Sequence, residues 1–255
     1  MRIIVVEDYG RLCRAAARHV CRVMLCRPGV VIALPTGRTP VGVYRELVTA
    51  HRDGRADFHD VVVFNLDEYY GIPPDHAQSF ARFTEAHLLQ HVAVREHNIP
   101  NSLATDHEAE CDRYEGRIAE RGGIDLAVLG MGQNGHIGFN EPDTPFGSAT
   151  HLARLSLETR QREAELFGSL ESVPQYAITM GIRTIMNARG ILLLVNGVEK
   201  AEIVRKSLFG AVSRSVPASI LQLHPDVTVL AEQHAAERLH GENWRGTSVE
   251  IWTGD

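Results

Sequence analysis

Residues 30–44 read VVIALPTGRTPVGVY, an apolar, β-branched run that passes through a short polar turn into a segment with apolar residues at helical spacing. The same succession recurs along the chain. Short apolar runs that alternate with longer helical segments are typical of βαβ units and of a mostly parallel sheet buried on both faces. The sequence therefore predicts an α/β protein.

The predicted strands span residues 2–6, 30–34, 61–66, 125–129, 190–195 and 227–230, and the predicted helices span residues 9–27, 41–53, 79–89, 108–121 and 198–209. No repeat, low-complexity tract or Ser/Gly linker divides the chain, so we expect a single domain over residues 1–255, with the tail from about residue 240 unassigned. Residues 132–150 form the longest stretch without clear periodicity, and long loops in compact domains are often functional.

Composition excludes several classes of partner. The chain has 26 Lys and Arg against 32 Asp and Glu, a net charge of −6, which argues against broad binding to nucleic acid or anionic lipid. No apolar run approaches the length of a membrane span, and the first one meets an acid too early for a signal peptide. The four cysteines lack C-x-x-C pairs and fit a reducing compartment, so we expect a cytoplasmic protein.

The turn inside the opening stretch is a candidate anion site. Free N–H groups and the dipole at a helix start favour a phosphate or carboxylate, and glycine permits close backbone approach. A tight strand-to-helix turn explains the motif about as well, because it is not the Walker pattern. The turn consists of Thr36, Gly37, Arg38 and Thr39, and Pro40 follows near the first helical turn.

Two further strand ends carry charged residues. In VVVFNLDEYYG (61–71) the strand runs into Asp67 and Glu68, and only one of these acids can face a shared pocket because successive strand side chains alternate. A solvated acidic turn is the alternative. In LLLVNGVEKAEIV (192–204), Lys200 lies in a first helical turn, where a cation is unfavourable unless an anion pairs with it. An ordinary surface lysine is the alternative there.

The segment DLAVLGMGQNGHIGFNEP (125–142) carries the strongest signal, because glycines at a strand end leave space for a ligand and alternate with polar residues. His136 is a residue type that titrates near neutrality, and Glu141 is placed to orient the imidazole and keep it protonated. By contrast, His87 and His91 have metal-ligand spacing but no third ligand, so we expect no metal site.

Several segments together resemble the glucosamine-6-phosphate isomerase/deaminase family, from near Met1 to about Ala231. The segment GHIGFNEP is highly specific, because the related 6-phosphogluconolactonases follow their Gly-His step with a different sequence. The resemblance implies a modified Rossmann-like fold with helices on both faces of a mostly parallel sheet. The segments are LPTGRTP (34–40), FNLDEYYG (64–71), GMGQNGHIGFNEP (130–142), NGVEKAEIV (196–204) and LQLHPDVTVLA (221–231).

The activity implied by the resemblance is the conversion of glucosamine 6-phosphate and water to fructose 6-phosphate and ammonia, with no cofactor. Asp67 would remove the C2 proton and return it to C1, and a carboxylate of ordinary pKa is a usable base at neutral pH. His136 would open the pyranose ring by proton exchange at the ring oxygen, with Glu141 and Asn134 holding it. Asn134 stands where some family members carry Asp, which we treat as a tolerated variation.

The resemblance implies that the substrate phosphate is held by the backbone around residues 37–39, by Lys200, and by an arginine after the GFNEP segment. Glu165 stands where that arginine is expected. A carboxylate cannot replace a guanidinium at a phosphate.

Three interpretations of this substitution remain open. Arg38 or Arg183 supplies the missing charge; or Arg162, one helical turn from Glu165, occupies the site; or the substrate differs. A different substrate would be another phosphorylated amino sugar, such as galactosamine 6-phosphate, or a different anionic sugar.

Two other functions are alternatives: a related isomerase or lactonase that releases no ammonia, and a sugar-phosphate-sensing domain. Residues 151–179 correspond to a mobile lid in the family. Allosterically controlled relatives carry basic residues near its start, where this chain has His151 and Ala153, so we expect little or no activation by N-acetylglucosamine 6-phosphate. Homo-oligomers are common in the family, and one is compatible with this chain.

Overall fold

Parallel strands form the centre of the protein, in a computed structural model that describes residues 1–239 and 248–251. Every strand pairing in this eight-stranded sheet is parallel. In spatial order the strands are β11 (Ser248–Ile251), β1 (Arg2–Val6), β10 (Val227–Glu232), β9 (Gly190–Val195), β6 (Leu126–Gly130), β2 (Val31–Leu34), β3 (Val62–Asn65) and β5 (Glu96–Asn98). A second, antiparallel sheet contains β4 (Asp67–Tyr69), β8 (Tyr176–Thr179) and β7 (His151–Arg154).

Helices connect most of these strands. They are α1 (Tyr9–Cys26), α2 (Arg38–Arg52), α3 (Phe80–Thr84), α4 (His107–Glu120), α5 (Leu157–Phe167), α6 (Ile182–Met186) and α7 (Ala201–Phe209). Side-chain caps mark several starts: Asp8, Asp106 and Ser156 each accept a hydrogen bond from the backbone N–H three residues on. None of the helices in the described ranges is long and apolar enough to cross a membrane.

Both faces of the parallel sheet are buried. In β9, Ile191 and Leu193 belong to an apolar core shared with α4 and α7, whereas Leu192 and Leu194 point into the opposite core with α1 and α2. Burial on both sides explains why the strands are continuous apolar runs rather than alternating ones. The predicted α/β fold with helices on both faces is confirmed.

The predicted elements and the observed ones differ at several boundaries. All the predicted strands are present, but α2 begins at Arg38 rather than residue 41, because proline is tolerated in a first helical turn. The predicted helix at 79–89 is the short α3 followed by a π-helical turn, Glu85–Leu89, and the one at 198–209 starts as a 3-10 turn, Val198–Lys200.

The unassigned tail contributes β11, which pairs with β1 at the edge of the sheet, while residues 240–247 and 252–255 lie outside the described part. The predicted elements do not include β4, β5, β7, β8, α5 and α6. Each of these strands has three or four residues, too few to show a period.

The sheet topology brings the candidate segments together. Because β2, β3, β6 and β9 run parallel, the segments that follow them all emerge at one edge, where ligands of such sheets bind. At the end of β3 the chain passes between the two sheets: the Leu66 N–H donates to the Leu34 carbonyl oxygen, and the Leu66 carbonyl accepts from the Met180 N–H. Asp67 follows at this junction.

Candidate active site

A cavity of about 640 Å³ opens at this edge of the parallel sheet. Its walls come from the turn after β2, from β4, from the loop after β6, from α5 and from the turn after β9. The structure thus brings together side chains that were predicted from separate segments. Those lining the cavity are Thr36, Gly37, Arg38, Thr39, Asp67, His136, Arg162 and Lys200.

Asp67 occupies the first position of β4, paired with Thr179 of β8, and only 6% of it is exposed. It makes no hydrogen bond with any residue in the described ranges. Burial, with a smaller contribution from the charge of Glu68, raises the pKa of Asp67 to about 8. The expectation of an ordinary pKa for Asp67 is therefore wrong, because the sequence does not show that the strand end is closed to water.

Glu68 points away from the cavity, as strand alternation predicts. Its carboxylate accepts hydrogen bonds from the backbone N–H groups of Tyr69 at 2.8 Å, Phe80 at 2.9 Å and Ala81 at 2.8 Å. Burial raises the pKa of Glu68, and these hydrogen bonds limit the rise. Glu68 thereby binds the start of α3, while Asp67 is left facing the cavity.

His136 lines the cavity, and Glu141 and Asn134 contact it without lining the cavity themselves. The His136 Nδ1 lies 3.6 Å from Glu141 Oε2, which is ion-pair distance and slightly beyond a hydrogen bond. Asn134 Nδ2 donates to Glu141 Oε2 at 2.8 Å, and its Oδ1 accepts from the His136 N–H at 3.2 Å. The second carboxylate oxygen of Glu141 accepts from the Thr159 hydroxyl at 2.6 Å and from the Ser156 N–H at 3.4 Å.

These contacts determine the charge of Glu141. Burial on its own raises the pKa of a carboxyl group, but the proximity and charge of His136, with the hydrogen bonds from Thr159 and Asn134, lower the pKa of Glu141 to about 2. Glu141 is therefore ionised at neutral pH. It is fixed by donors from two separate segments, so it can orient the imidazole of His136 and stabilise its protonated form.

The imidazole of His136 lies directly against the backbone of Gly132. A Cβ atom at Gly132 would stand 2.2 Å from the ring Cε1 and 2.4 Å from Nε2. Only glycine leaves room for the ring in this position.

Three cations, Arg38, Arg162 and Lys200, also line the cavity. Burial lowers the pKa of Lys200, and the charge of Arg162 lowers it further, while Glu199 opposes the shift. Arg162 and Lys200 therefore lie close enough to repel each other. Arg162 is paired with Glu158 of the same helix at 2.5 Å, and Glu199 lies beside Lys200, so both cations are partly neutralised. They nevertheless line the cavity beside a helix start, an arrangement that suits an anion.

The turn that carries Arg38 is held by two hydroxyl groups. Thr39 donates from its Oγ1 to the Asn196 side-chain oxygen at 2.7 Å, which ties the turn after β2 to the turn after β9. The Tyr9 hydroxyl donates to the Thr39 carbonyl oxygen at 2.9 Å and accepts from the Gly42 N–H at 3.0 Å. The backbone N–H groups at the start of α2 therefore have a fixed direction relative to Lys200.

Two residues singled out from the sequence lie elsewhere. Arg183 is exposed on α6 and does not line the cavity, so the expectation that it contacts the phosphate is corrected. Glu165 is also exposed and outside the cavity lining, because the helical phase of α5 turns it outward while Arg162 and Glu163 face inward. Of the three interpretations of Glu165, the one in which Arg162 occupies the site fits this arrangement, because Arg162 faces the cavity one turn before Glu165. Arg38 lines the cavity as a second cation.

Thr159 and Glu163 are site residues that the sequence analysis missed. Both lie on α5, and the Ser156 cap three residues before Thr159 was the available signal for that helix. No group of three His, Cys, Asp or Glu residues able to hold a metal ion occurs in the ranges that the structure describes.

The fold and the cavity define an α/β protein with an acid, an imidazole and a cluster of cations around one small-molecule site. The chain belongs to the family of glucosamine-6-phosphate isomerases and 6-phosphogluconolactonases, whose sequence profile matches residues 8–230.

The similar proteins cover nearly the whole chain. It is 43% identical to a glucosamine-6-phosphate deaminase of Clostridioides difficile over 96% of this chain and 99% of the relative. It is 44% identical to the enzyme of that name from Halothermothrix orenii over 94% of this chain and 100% of the relative.

Among solved structures, a monomeric glucosamine-6-phosphate deaminase superposes with a TM-score of 0.90 at 43% identity, covering 93% of this chain and 100% of that one. A 6-phosphogluconolactonase from Trypanosoma cruzi has a TM-score of 0.74 at 20% identity, covering 94% of this chain and 97% of that one, which shows the shared fold alone.

Replacing Gly132 with alanine should displace the imidazole of His136. We expect Gly132→Ala to lower kcat about 10- to 100-fold with little change in KM, since small displacements of a catalytic group have effects of this size. Gly147→Ala is the matched control, because a Cβ at Gly147, in the same loop, meets nothing within 4 Å. Equal kcat values for the two variants would contradict the proposed position of the ring.

The titration of Asp67 can be followed by carbon NMR of its carboxyl group, assigned by comparison with Asp67→Asn. We expect a midpoint near the pKa of about 8 that burial gives it. Glu68→Gln removes the neighbouring charge and should lower that midpoint by roughly half a unit to one unit. A midpoint near 3.8, the ordinary value, would show that the site is open to water.

Proposed function

We propose that this enzyme is a glucosamine-6-phosphate deaminase, which converts its substrate and water to fructose 6-phosphate and ammonia. The observation that carries the proposal is that Asp67 and His136, which are distant in sequence, line one cavity with the cations Lys200 and Arg162. That combination suits a phosphorylated sugar that must exchange protons at neighbouring carbons. The identity of 43–44% with deaminases over nearly the whole chain supports it.

Ring opening is the first step. The imidazolium of His136 donates a proton to the ring oxygen while the C1 hydroxyl gives its proton to solvent water, so the C1–O5 bond breaks and an open-chain aldehyde forms. Glu141 remains ionised because its pKa is about 2, and it stabilises the positive charge on the imidazole of His136. General acid catalysis by a positioned group is typically worth about 10²- to 10⁴-fold in rate.

Isomerisation and loss of nitrogen follow. Asp67 removes the proton from C2 to give an enolamine and returns it to C1, while a proton from the nitrogen passes to the C1 oxygen. The C1 aldehyde thereby becomes a hydroxyl, and an imine is left at C2. Water adds to this imine, and ammonia departs to give the ketose. A buried carboxylate with a raised pKa is a stronger base once ionised than one exposed to water.

The phosphate end of the substrate is proposed to bind between the turn at residues 36–39 and α5. Lys200, Arg162 and Arg38 would contribute positive charge, and the N–H groups at the start of α2 would donate hydrogen bonds. On this proposal Glu165 does not weaken phosphate binding, because its side chain is turned away from the phosphate.

We further propose that the chain acts as one domain in the cytoplasm, in the degradation of amino sugars derived from N-acetylglucosamine. The cysteines support a reducing compartment, because Cys13, Cys21, Cys26 and Cys111 are all free.

A substrate panel tests the reaction. Glucosamine 6-phosphate, galactosamine 6-phosphate and glucose 6-phosphate are each incubated with wild-type enzyme and with Asp67→Asn, and both ketose and ammonia are measured. We expect equal amounts of the two products from glucosamine 6-phosphate, and a loss of about 10²- to 10⁴-fold in kcat for Asp67→Asn. Ketose without ammonia would contradict a deaminase and favour a plain isomerase.

The phosphate site is tested by removing single arginines. Arg162→Ala is expected to raise KM for glucosamine 6-phosphate about 10- to 100-fold, because a charge-assisted hydrogen bond to phosphate is lost. Arg183→Ala removes the same charge from a position outside the cavity and should leave KM unchanged. A larger effect from Arg183→Ala than from Arg162→Ala would refute this site.

A further inference from the structure

Glu163 is a carboxylate in the cavity that the mechanism does not use. It lies on α5, is half-buried and lines the same cavity as Asp67 and His136. It forms no hydrogen bond and no ion pair with any residue in the described part of the chain. A carboxylate in a cavity that binds phosphate weakens phosphate binding by repulsion, whereas it attracts a cationic group on the same ligand.

The other acids around the cavity already have partners or a role. Glu68 accepts three backbone hydrogen bonds at the start of α3, and Glu141 is held by Asn134 and Thr159. Asp67 is the proposed base, and the charge of Glu199 raises the pKa of the adjacent Lys200. Among these acids, Glu163 has neither a hydrogen bond nor an ion pair with the residues that the structure describes, although cations lie near it.

Charged groups from several segments of the site act on Glu163. Burial raises its pKa, while the charges of Arg38, Arg162 and His136 act in the opposite direction. Burial raises the pKa of the Tyr69 hydroxyl, and the charges of Glu163 and Asp67 both raise it further. Glu163 therefore lies within electrostatic reach both of the phosphate cations and of the region where C1 and C2 of the sugar must lie.

We propose that Glu163 makes the cavity selective for sugar phosphates that carry a 2-ammonium group over those of the same size that carry only hydroxyl groups. Its repulsion of the phosphate is common to both kinds of ligand, whereas its attraction for the ammonium benefits only the amino sugar. The inference rests on the proposed function and assigns the discrimination to a residue outside the proton-transfer machinery.

Two open-chain compounds test this selectivity without turnover: 2-amino-2-deoxyglucitol 6-phosphate and glucitol 6-phosphate, which differ only in the group at C2. Their Kd values are measured by calorimetry for wild type, Glu163→Gln and Glu165→Gln. The second variant is a matched control, because it makes the same change on the same helix at an exposed position outside the cavity.

We expect wild type and Glu165→Gln to share the same preference for the amino compound, and Glu163→Gln to reduce that preference about three- to tenfold, the range that Coulomb's law gives for charges several ångströms apart in a partly wet cavity. The same ratio in Glu163→Gln as in Glu165→Gln would overturn the inference and leave the deaminase proposal intact. Failure of wild type to bind either compound, together with no ammonia from glucosamine 6-phosphate, would overturn both.

Discussion

The exclusion of water from Asp67 is the constraint on which the rest of the site depends. The chain leaves the parallel sheet at Leu66, whose backbone is bonded to Leu34 on one side and to Met180 on the other, and enters the antiparallel sheet one residue later. A carboxylate at that junction has little access to solvent and no hydrogen-bond donor within the described residues. Its pKa therefore rises, and the group becomes a base suited to removing a proton from carbon.

Carboxylates of this site differ in behaviour because each has a different environment. Glu68, adjacent to the proposed base, is bound to the start of a helix by three backbone N–H groups. Glu141 is surrounded by an imidazole, an amide and a hydroxyl, so its pKa falls to about 2. Glu163 has cations nearby but no hydrogen bond or ion pair with residues 1–239 or 248–251. The same functional group, a carboxylate, thus serves as a base, a helix cap, a stabiliser of positive charge and an acceptor with no hydrogen bond among the described residues, and these roles differ because the contacts differ.

The sequence was sufficient for the parallel sheet and for the convergence of the main site residues, because long apolar runs and strand-end glycines are local signals. It was insufficient for features that depend on contacts between segments distant in sequence. Strands such as β4 and β8 have three or four residues and pair across a long separation in sequence. The inward phase of Arg162 and the outward phase of Glu165 depend on how α5 packs, which is not visible in the segment itself. The raised pKa of Asp67 depends on enclosure by both sheets.

One carboxylate links the position of α5 to the state of the imidazole. Glu141 accepts hydrogen bonds from Ser156 and Thr159 at the start of that helix, and it also faces His136. If α5 moved away, the cavity would open and Glu141 would lose two donors in the same motion. Opening the cavity would then weaken the support of the proton donor, which would keep only its contact through Asn134, so formation of the reactive open-chain sugar would be favoured while bulk solvent is shut out. The open-chain intermediate would be protected from solvent by this shared contact, and no separate group would be needed to detect closure of the cavity.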